Sequence, residues 1–405
     1  MRALFHDPLI SDNRDPQFTF LFQEEKYGFY QMNMVFWIQL LIFVLASAIS
    51  SAISWTATYY YLVIPNRGKS AIADLVAYGI IIPYTLYIPF KLIDILGVES
   101  LIIRFFGAIY PSITVFHTLE AIHGYSPKYV TESFKSYLRY NTCILEFEHE
   151  LVNGKMTPKK VTIEDTLRVL RQFLILTLVL GAYSSVFAPE LEWFETSVDA
   201  NALGFDINLA HFGDVKLLCN NFIGALFMQL TLYTFLAAFS TLLQLIFRVK
   251  TNAPMKNPLF ESESIADFWG NRWNMVIHGA LKRGVFKPVY RATSRRTIAL
   301  LSAFIASGFL HEYLLLIMYY KTDANCAIGM NLIFFAWNAM TMFIEVLVQD
   351  FRIVKSIKKA LPKPIISMLV VMSALPCAHF FLHPYMKPAP FLEHIMIGFP
   401  VIKQI

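Results

Sequence analysis

The sequence predicts an all-α fold, a polytopic bundle of transmembrane helices. Of its 405 residues, 56% are hydrophobic and only 16% are charged, whereas a soluble domain usually carries about 25% charged residues. The mean hydropathy is +0.50. Apolar runs near the length of a bilayer crossing recur between residues 34 and 386. These runs are continuous and lack the period of two that the strands of a membrane β-barrel show.

Eight candidate membrane segments follow one another along the chain. They lie at about 34–64, 71–90, 101–122, 168–188, 217–247, 297–320, 327–348 and 365–386. The first and the fifth are longer than one crossing requires, so each is expected either to tilt or to be a broken pair. Gly79, Pro83 and Pro89 predict a bend in the second segment. A short apolar tail at 390–402 predicts a ninth, partly embedded element.

The chain is predicted to form a single domain over residues 1–405, because it contains no internal repeat and no linker. Its polar N-terminal segment, 1–33, lacks the apolar core of a cleavable signal peptide. The first membrane segment is therefore expected to serve as an uncleaved anchor. The four cysteines are widely spaced and predict neither a zinc site nor a disulfide framework.

The distribution of charge predicts the orientation in the membrane. Residues 187–215 contain acids but no lysine or arginine, whereas 249–296 and 351–363 are rich in both cations. Two crossings separate these two basic stretches, so both lie on one side, which the positive-inside rule identifies as the cytosol. By the same count 123–167 is cytosolic, where its mixed polarity predicts an interfacial amphipathic helix and a loop. The N-terminus then faces the lumen.

One membrane segment contains two ionisable residues near its centre, in the sequence GFLHEYLLL. Ionisable groups are costly within a bilayer and usually face a cavity or a partner. His311 is suited to proton abstraction near neutral pH, although a histidine here could also only pack against a neighbouring helix. Glu312 points about 100° away from His311 on a helix and is expected to brace another polar group.

A second stretch, 264–291, is amphipathic, aromatic and basic, which is typical of a segment at the membrane–water boundary. Asn274 could orient an acyl carbonyl or stabilise developing negative charge, and His278 lies on the same face of a helix. Lys282, Arg283 and Lys287 could bind anionic phosphates. The alternative for these cations is contact with anionic lipid headgroups.

Together, FWGNRWNMVIHGALKRGVFKPVY and the later ASGFLHEYLL resemble the membrane-bound O-acyltransferase (MBOAT) family. The resemblance is closest to its wax synthase-like branch, and diacylglycerol and sterol O-acyltransferases share related motifs. It extends over roughly 250–320. The matching positions are Trp273, Asn274, His278, Pro288, His311, Glu312 and Tyr313. Asn271 departs from the pattern, which commonly has arginine there.

The resemblance implies a helical bundle with a reaction chamber inside the membrane. It implies that His311 is the catalytic base and Asn274 its partner, and that 249–296 is the cytosolic or interfacial catalytic stretch. The residues assigned to substrate binding are Trp269, Trp273, His278, Lys282, Arg283, Lys287, Glu312 and Tyr313. Acyl-CoA is expected as a co-substrate, and neither a metal nor a resident cofactor is expected.

The predicted function is acyl-CoA-dependent O-acyl transfer to a lipid hydroxyl, with a long-chain fatty alcohol as acceptor and a wax ester as product. A sterol or a diacylglycerol remains open as the acceptor, and a transporter with a proton-handling histidine is the non-enzymatic alternative. The expected partners are acyl-CoA, the acceptor and membrane lipids, with no nucleic acid. The oligomeric state is left open. The expected location is the endoplasmic reticulum, as a multi-pass membrane protein.

Overall fold

A computed structural model describes residues 15–64, 71–187, 214–322, 328–386 and 398–404. The first part of the chain contains β1 (Phe18–Phe22), β2 (Glu25–Tyr30), α1 (Met34–Thr58), α2 (Ala71–Val76), α3 (Ile82–Leu96), α4 (Leu101–Gly107) and α5 (Ile109–Ile122). A region of short elements follows, with α6 (Lys128–Thr131), α7 (Phe134–Thr142), β3 (His149–Val152) and β4 (Lys155–Pro158).

Two long helices come next, α8 (Ile163–Phe187) and α9 (Val215–Phe247). The predicted catalytic stretch, 249–296, then forms α10 (Pro258–Glu261), α11 (Ile265–Asp267), α12 (Met275–Leu281) and α13 (Lys287–Thr293). The last part contains α14 (Arg296–Met318), α15 (Met330–Val348), α16 (Arg352–Ala360), α17 (Lys363–Ala374), α18 (Ala378–Met386) and β5 (Val401–Gln404).

Eight helical segments of the described chain are long and apolar enough to cross a membrane, which confirms the predicted all-α transmembrane fold. They are Met34–Val63, Ala71–Leu96, Leu101–Ile122, Ile163–Val186, Val215–Phe247, Arg296–Met318, Met330–Val348 and Lys363–Tyr385. Each overlaps one predicted segment. Their outer faces are apolar: Ile49 of α1 is 71% exposed, whereas Phe43 on the same helix is fully buried. This is the pattern of a helix with one side facing lipid.

The two overlong segments are single helices and not broken pairs. Val215–Phe247 is continuous over 33 residues, about 50 Å at 1.5 Å per residue. Because a bilayer core is about 30 Å thick, this helix must tilt or project beyond it. The interruption predicted in the second segment is a π-helical turn at Ala77–Ile81, directly before α3 and its Pro83.

The predicted interfacial region 123–167 contains the amphipathic helix α7, whose N-terminus is capped by the Ser133 side chain. The prediction of a loop after this helix is partly wrong. Strands β3 and β4 form an antiparallel hairpin there, paired from His149↔Pro158 to Val152↔Lys155. Asn153 and Gly154 at its turn have positive φ angles, which suits a tight two-residue turn.

The N- and C-terminal parts of the chain share a three-stranded sheet in the order β1-β2-β5. Strands β1 and β2 pair antiparallel from Phe18↔Phe29 to Phe22↔Glu25. Strand β5 pairs antiparallel with β2, with Tyr27 opposite Gln404. The described end of the ninth, partly embedded element predicted at 390–402 thus runs into a strand, with Phe399 and Val401 buried, and residues 390–397 lie outside the described part. Residues 188–213 of the acidic stretch also lie outside it.

Candidate active site

The catalytic stretch between α9 and α14 is not one amphipathic helix but a series of short helical pieces. A π-helical turn at Phe268–Arg272 precedes α12, and a second one at Lys282–Phe286 precedes α13. The Arg272 guanidinium holds the first turn in place, with Nε donating to Asp267 at 2.6 Å and Nη1 donating to Glu261 at 3.0 Å. Asn271, the position that departs from the family pattern, donates to the same aspartate at 3.1 Å.

Asn274 lies at the N-terminal cap of α12 in the left-handed conformation, with φ +38° and ψ 70°. Asparagine tolerates this conformation better than most residues. Its Oδ1 accepts a hydrogen bond from the Ile277 amide at 3.3 Å. Because the cap needs an acceptor, the oxygen of the side-chain amide is fixed toward the helix, and the NH₂ group remains as a donor.

His311 lies in the middle of α14, where aromatic side chains surround its ring. The imidazole stacks on Phe335, with ring centroids 5.0 Å apart and planes at 20°, and meets the edge of Phe381 at 5.0 Å. Its Nδ1 lies 3.0 Å from the hydroxyl of Tyr385 on α18. The second nitrogen, Nε2, has no hydrogen-bond partner within the described residues.

A cavity of about 160 Å³ contains both His311 and Asn274 in its lining. Helices α4, α9, α14, α15, α17 and α18 contribute to its wall together with the catalytic stretch, and apolar and aromatic side chains form most of that wall. The structure thus brings two residues, 37 positions apart in the sequence, to one apolar chamber within the helical bundle. Such a chamber can exclude water around a base and a hydrogen-bond donor.

The tryptophans of the FWGNRWN motif form part of the cavity wall. Trp273 stacks on Phe268 with centroids 5.5 Å apart, and Trp269 makes edge contacts with Phe304 of α14 and Phe334 of α15. The motif therefore joins the catalytic stretch to the helix that carries His311. The substrate contact predicted for Trp269 and Trp273 remains a prediction that is compatible with their position.

Glu312 and Tyr313 do not line this cavity, and each makes a contact that positions helices. The contact of Glu312 agrees with the expectation that it braces another polar group, and the predicted role of both residues in substrate binding stays a prediction. The Glu312 carboxylate accepts from the backbone amides of Asn331 at 2.8 Å and Leu332 at 3.3 Å. It thus satisfies free donors at the N-terminus of α15. The Tyr313 hydroxyl donates to the Leu86 carbonyl of α3 at 2.8 Å. Both contacts point away from His311, as expected for neighbours on a helix.

Acidic and aromatic side chains already surround the guanidinium of Arg283. Nε donates to Glu120 of α5 at 3.0 Å, and Nη2 donates to Glu146 at 2.5 Å and to the Tyr140 hydroxyl of α7 at 2.8 Å. Burial favours a lower pKa for Arg283, but Tyr140, Glu120 and Glu146 outweigh it and raise the pKa. These contacts form an internal ion pair, which competes with the predicted phosphate contact of Arg283.

The other polar residues predicted to bind substrate are His278, Lys282 and Lys287, and they differ in their exposure. Burial, and next the cations Lys282 and Arg283, lower the pKa of His278, and its ring bonds the Trp269 backbone. The lowered pKa disfavours a positive charge on the ring, and the predicted contact of His278 with the substrate stays a prediction. Lys282 is exposed, and Nζ of Lys287 lies 5.8 Å from the ring centroid of Tyr125. These two lysines remain candidates for anionic contact.

Two residues that the sequence analysis missed hold the His311 helix in place. Tyr385 is fully buried against His311. The buried Arg104 guanidinium donates to the Met318 and Tyr320 carbonyls at 2.8 and 2.9 Å, at the C-terminal end of α14. No local motif marks either residue. No cluster of three or more histidine, cysteine or acidic side chains that could bind a metal occurs in the part of the chain that the structure describes.

A histidine and a side-chain amide donor thus lie in the wall of one apolar chamber within the helical bundle. Residues 252–337 match the membrane bound O-acyl transferase family. Relatives include a probable long-chain-alcohol O-fatty-acyltransferase 9 from Arabidopsis thaliana, 32% identical over 103 residues, which covers 24% of this chain and 29% of the relative. Diacylglycerol O-acyltransferase 1 from Chlorocebus aethiops is 44% identical over 55 residues, 14% of this chain and 11% of its own.

An acyl-CoA–sterol O-acyltransferase 1 from Arabidopsis thaliana is 31% identical over 71 residues, 16% of this chain and 21% of the relative. The matched parts thus span less than a third of each of these curated relatives. These findings confirm the predicted resemblance to the MBOAT family with wax synthase-like relatives. The matched segment includes the catalytic stretch and α14, and therefore both Asn274 and His311.

Proposed function

We propose that this protein is an acyl-CoA-dependent O-acyltransferase that esterifies a lipid hydroxyl, with a long-chain fatty alcohol as the acceptor. The observation that carries the proposal is the single apolar cavity that has both His311 and the Asn274 amide in its wall. Three relatives support O-acyl transfer as the reaction class. Their names indicate a long-chain alcohol, a diacylglycerol and a sterol as acceptors, so three acceptor classes are to be compared.

In the proposed mechanism, Nε2 of His311 accepts the proton of the acceptor hydroxyl as its oxygen attacks the thioester carbonyl carbon of acyl-CoA. The carbonyl oxygen becomes an oxyanion, to which the Asn274 NH₂ group donates. The tetrahedral intermediate then collapses, the carbon–sulfur bond breaks, and the imidazolium returns the proton to the leaving thiolate. The products are an ester and CoA. No acyl-enzyme forms, and the apolar wall limits hydrolysis of the thioester.

The acceptor reaches the chamber from the bilayer and acyl-CoA reaches it from the cytosol, where Lys282 and Lys287 are candidates for contact with its phosphates. All three acceptor classes carry one hydroxyl on an apolar body, so a narrow apolar chamber suits each of them. We place the protein in the endoplasmic reticulum as a multi-pass membrane enzyme, by analogy with lipid-acylating members of the family.

The first test is ester formation in membranes from cells that lack their own neutral-lipid acyltransferases. Labelled acyl-CoA is supplied with fatty alcohol, sterol or diacylglycerol, for the wild type and for His311→Ala. We expect a wax ester from the wild type. Loss of the general base should lower its rate by at least about 10²-fold. The matched control is His123→Ala, because His123 is exposed at the end of α5 and does not line the cavity.

Turnover retained by His311→Ala at wild-type expression would remove His311 from the mechanism. A steryl ester or triacylglycerol in place of the wax ester would keep the reaction class and change the acceptor. No ester with any acceptor, from well-expressed protein, would contradict the proposed function and favour the transporter alternative.

A further inference from the structure

Within the described residues, the imidazole of His311 contacts a polar side chain on one of its two ring nitrogens, and that side chain is Tyr385. The Tyr385 hydroxyl lies 3.0 Å from Nδ1 and 3.4 Å from the backbone carbonyl oxygen of His311 itself. Tyr385 is 0% exposed, 74 residues after His311, on α18. Its sequence context, HFFLHPYM, belongs to none of the motifs that indicate an acyltransferase.

We propose that Tyr385 is a positioning residue that fixes the proton of His311 on Nδ1 and leaves Nε2 unprotonated for the reaction. This inference rests on the proposed function, because the choice of tautomer matters only if His311 acts as a base. Neutral histidine has one N–H and one bare nitrogen, and only the bare nitrogen can accept a proton.

Two contacts of the Tyr385 hydroxyl favour one direction for its hydrogen bonds. A backbone carbonyl can only accept, so the contact with the His311 carbonyl requires the hydroxyl hydrogen. The hydroxyl oxygen then accepts from Nδ1–H. The reverse arrangement, with the hydroxyl donating to Nδ1, would place the ring proton on Nε2 and make that nitrogen a donor. A histidine in that tautomer cannot abstract a proton from an alcohol.

The packing around His311 separates the role of the Tyr385 hydroxyl from the role of its ring. Phe335 and Phe381 hold the two sides of the imidazole, while the Tyr385 ring packs on Phe381 and Phe105. A second tyrosine, Tyr319 at the C-terminal cap of α14, donates to the Pro384 carbonyl at 2.8 Å and also connects α14 to α18. Removal of only the Tyr385 hydroxyl should therefore release the imidazole without separating the helices.

The test compares Tyr385→Phe with Tyr319→Phe, since each variant removes one buried hydroxyl between the same two helices and only the first touches His311. We expect Tyr385→Phe to lower kcat by about 10-fold or more while the KM for acyl-CoA stays near that of the wild type. Tyr319→Phe should keep kcat within about twofold of the wild type. Thermal unfolding in detergent establishes that both variants are folded.

A double-mutant cycle provides the second measurement, because a positioning residue acts only through its partner. In a His311→Ala background, Tyr385→Phe should lower the residual rate no further. Three results would overturn the inference: a wild-type kcat for Tyr385→Phe, an equal loss in Tyr319→Phe, or an additive loss in the His311→Ala background. Absence of ester formation by the wild type would instead contradict the proposed function.

Discussion

The side-chain amide of Asn274 can act in two ways, and a single substitution separates them. Its oxygen caps α12, and its NH₂ group is available to the cavity. Asn274→Asp keeps the cap acceptor, loses the donor and adds negative charge where an oxyanion would form. We expect ester formation to fall by about 10²–10³-fold, with an unchanged unfolding temperature. Single-turnover kinetics and thermal unfolding measure the two effects separately.

The matched control for this substitution is Asn257→Asp. Asn257 also has a left-handed conformation, φ +45°, at the start of a short helix of the same stretch, but it is exposed and does not line the cavity. The control should retain activity. If Asn274→Asp retained it as well, the amide NH₂ group would have no part in catalysis.

Sequence could predict which residues meet at the cavity better than it could predict what each one contacts. Trp273, Asn274 and His311 are chemically distinctive and lie in family motifs. The partner of Arg283, however, is Glu120, 163 positions earlier. Helical periodicity gives the face on which a residue lies, but not the helix that packs against that face. The same reason explains why the capping role of Glu312 at α15 became visible only in the structure.

At the scale of elements, two of the four described π-helical turns follow a sequence pattern that can be recognised in retrospect. Gly79 and Gly284 each lie within a π-helical turn, and each precedes a proline, Pro83 or Pro288, by four positions. A proline lacks an N–H and clashes with the carbonyl four residues before it. A wider turn with glycine at that position accommodates the ring, so GIIIP and GVFKP both predict an interrupted helix.

The Arg283 ion pair joins three elements, since α5, α7 and the catalytic stretch all contribute to it. Replacing Arg283 by Met would leave the fully buried Glu120 carboxylate without its cation. Breaking a buried pair in this way costs about 3–5 kcal/mol. We therefore expect a clearly lower unfolding temperature for Arg283→Met, measured in detergent by the exposure of buried cysteines to a thiol-reactive dye.

Two further variants show whether Arg283 acts in the fold or on a substrate. Adding Glu120→Gln to Arg283→Met removes the unpaired charge and should restore part of the stability. Lys282→Gln, at the exposed neighbouring position, should leave the unfolding temperature unchanged. An Arg283→Met variant of wild-type stability but with a raised KM for acyl-CoA would return Arg283 to the phosphate site.

At the scale of the whole molecule, the number of candidate crossings agrees with the pairing of strands in the β1-β2-β5 sheet. The eight candidate crossings among the described residues are an even number, which puts β2 and β5 on the same side, and these two strands are indeed hydrogen-bonded neighbours. Hydropathy was sufficient to predict the eight helices. It could not predict this sheet, because the strands are short and come from opposite ends of the sequence.

The orientation of the molecule can be measured with single cysteines in a chain whose native cysteines are replaced by alanine. Gln23 lies exposed between β1 and β2, and Lys359 lies exposed on α16. Seven crossings separate them. In sealed microsomes, a membrane-impermeant maleimide should label Lys359→Cys directly and Gln23→Cys only after permeabilisation, because the positive-inside rule places the basic α16 in the cytosol.

The labelling result also shows from which side of the membrane acyl-CoA, the proposed substrate, would reach the site. Two crossings, α14 and α15, separate the catalytic stretch from α16, so the residues before Arg296 lie on the same side as Lys359. Labelling of Lys359→Cys from outside would place the approach to Asn274 in the compartment that contains acyl-CoA. Labelling of both cysteines from one side would contradict the count of crossings. The reverse order of labelling would keep the fold but put the catalytic stretch in the lumen, away from cytosolic acyl-CoA.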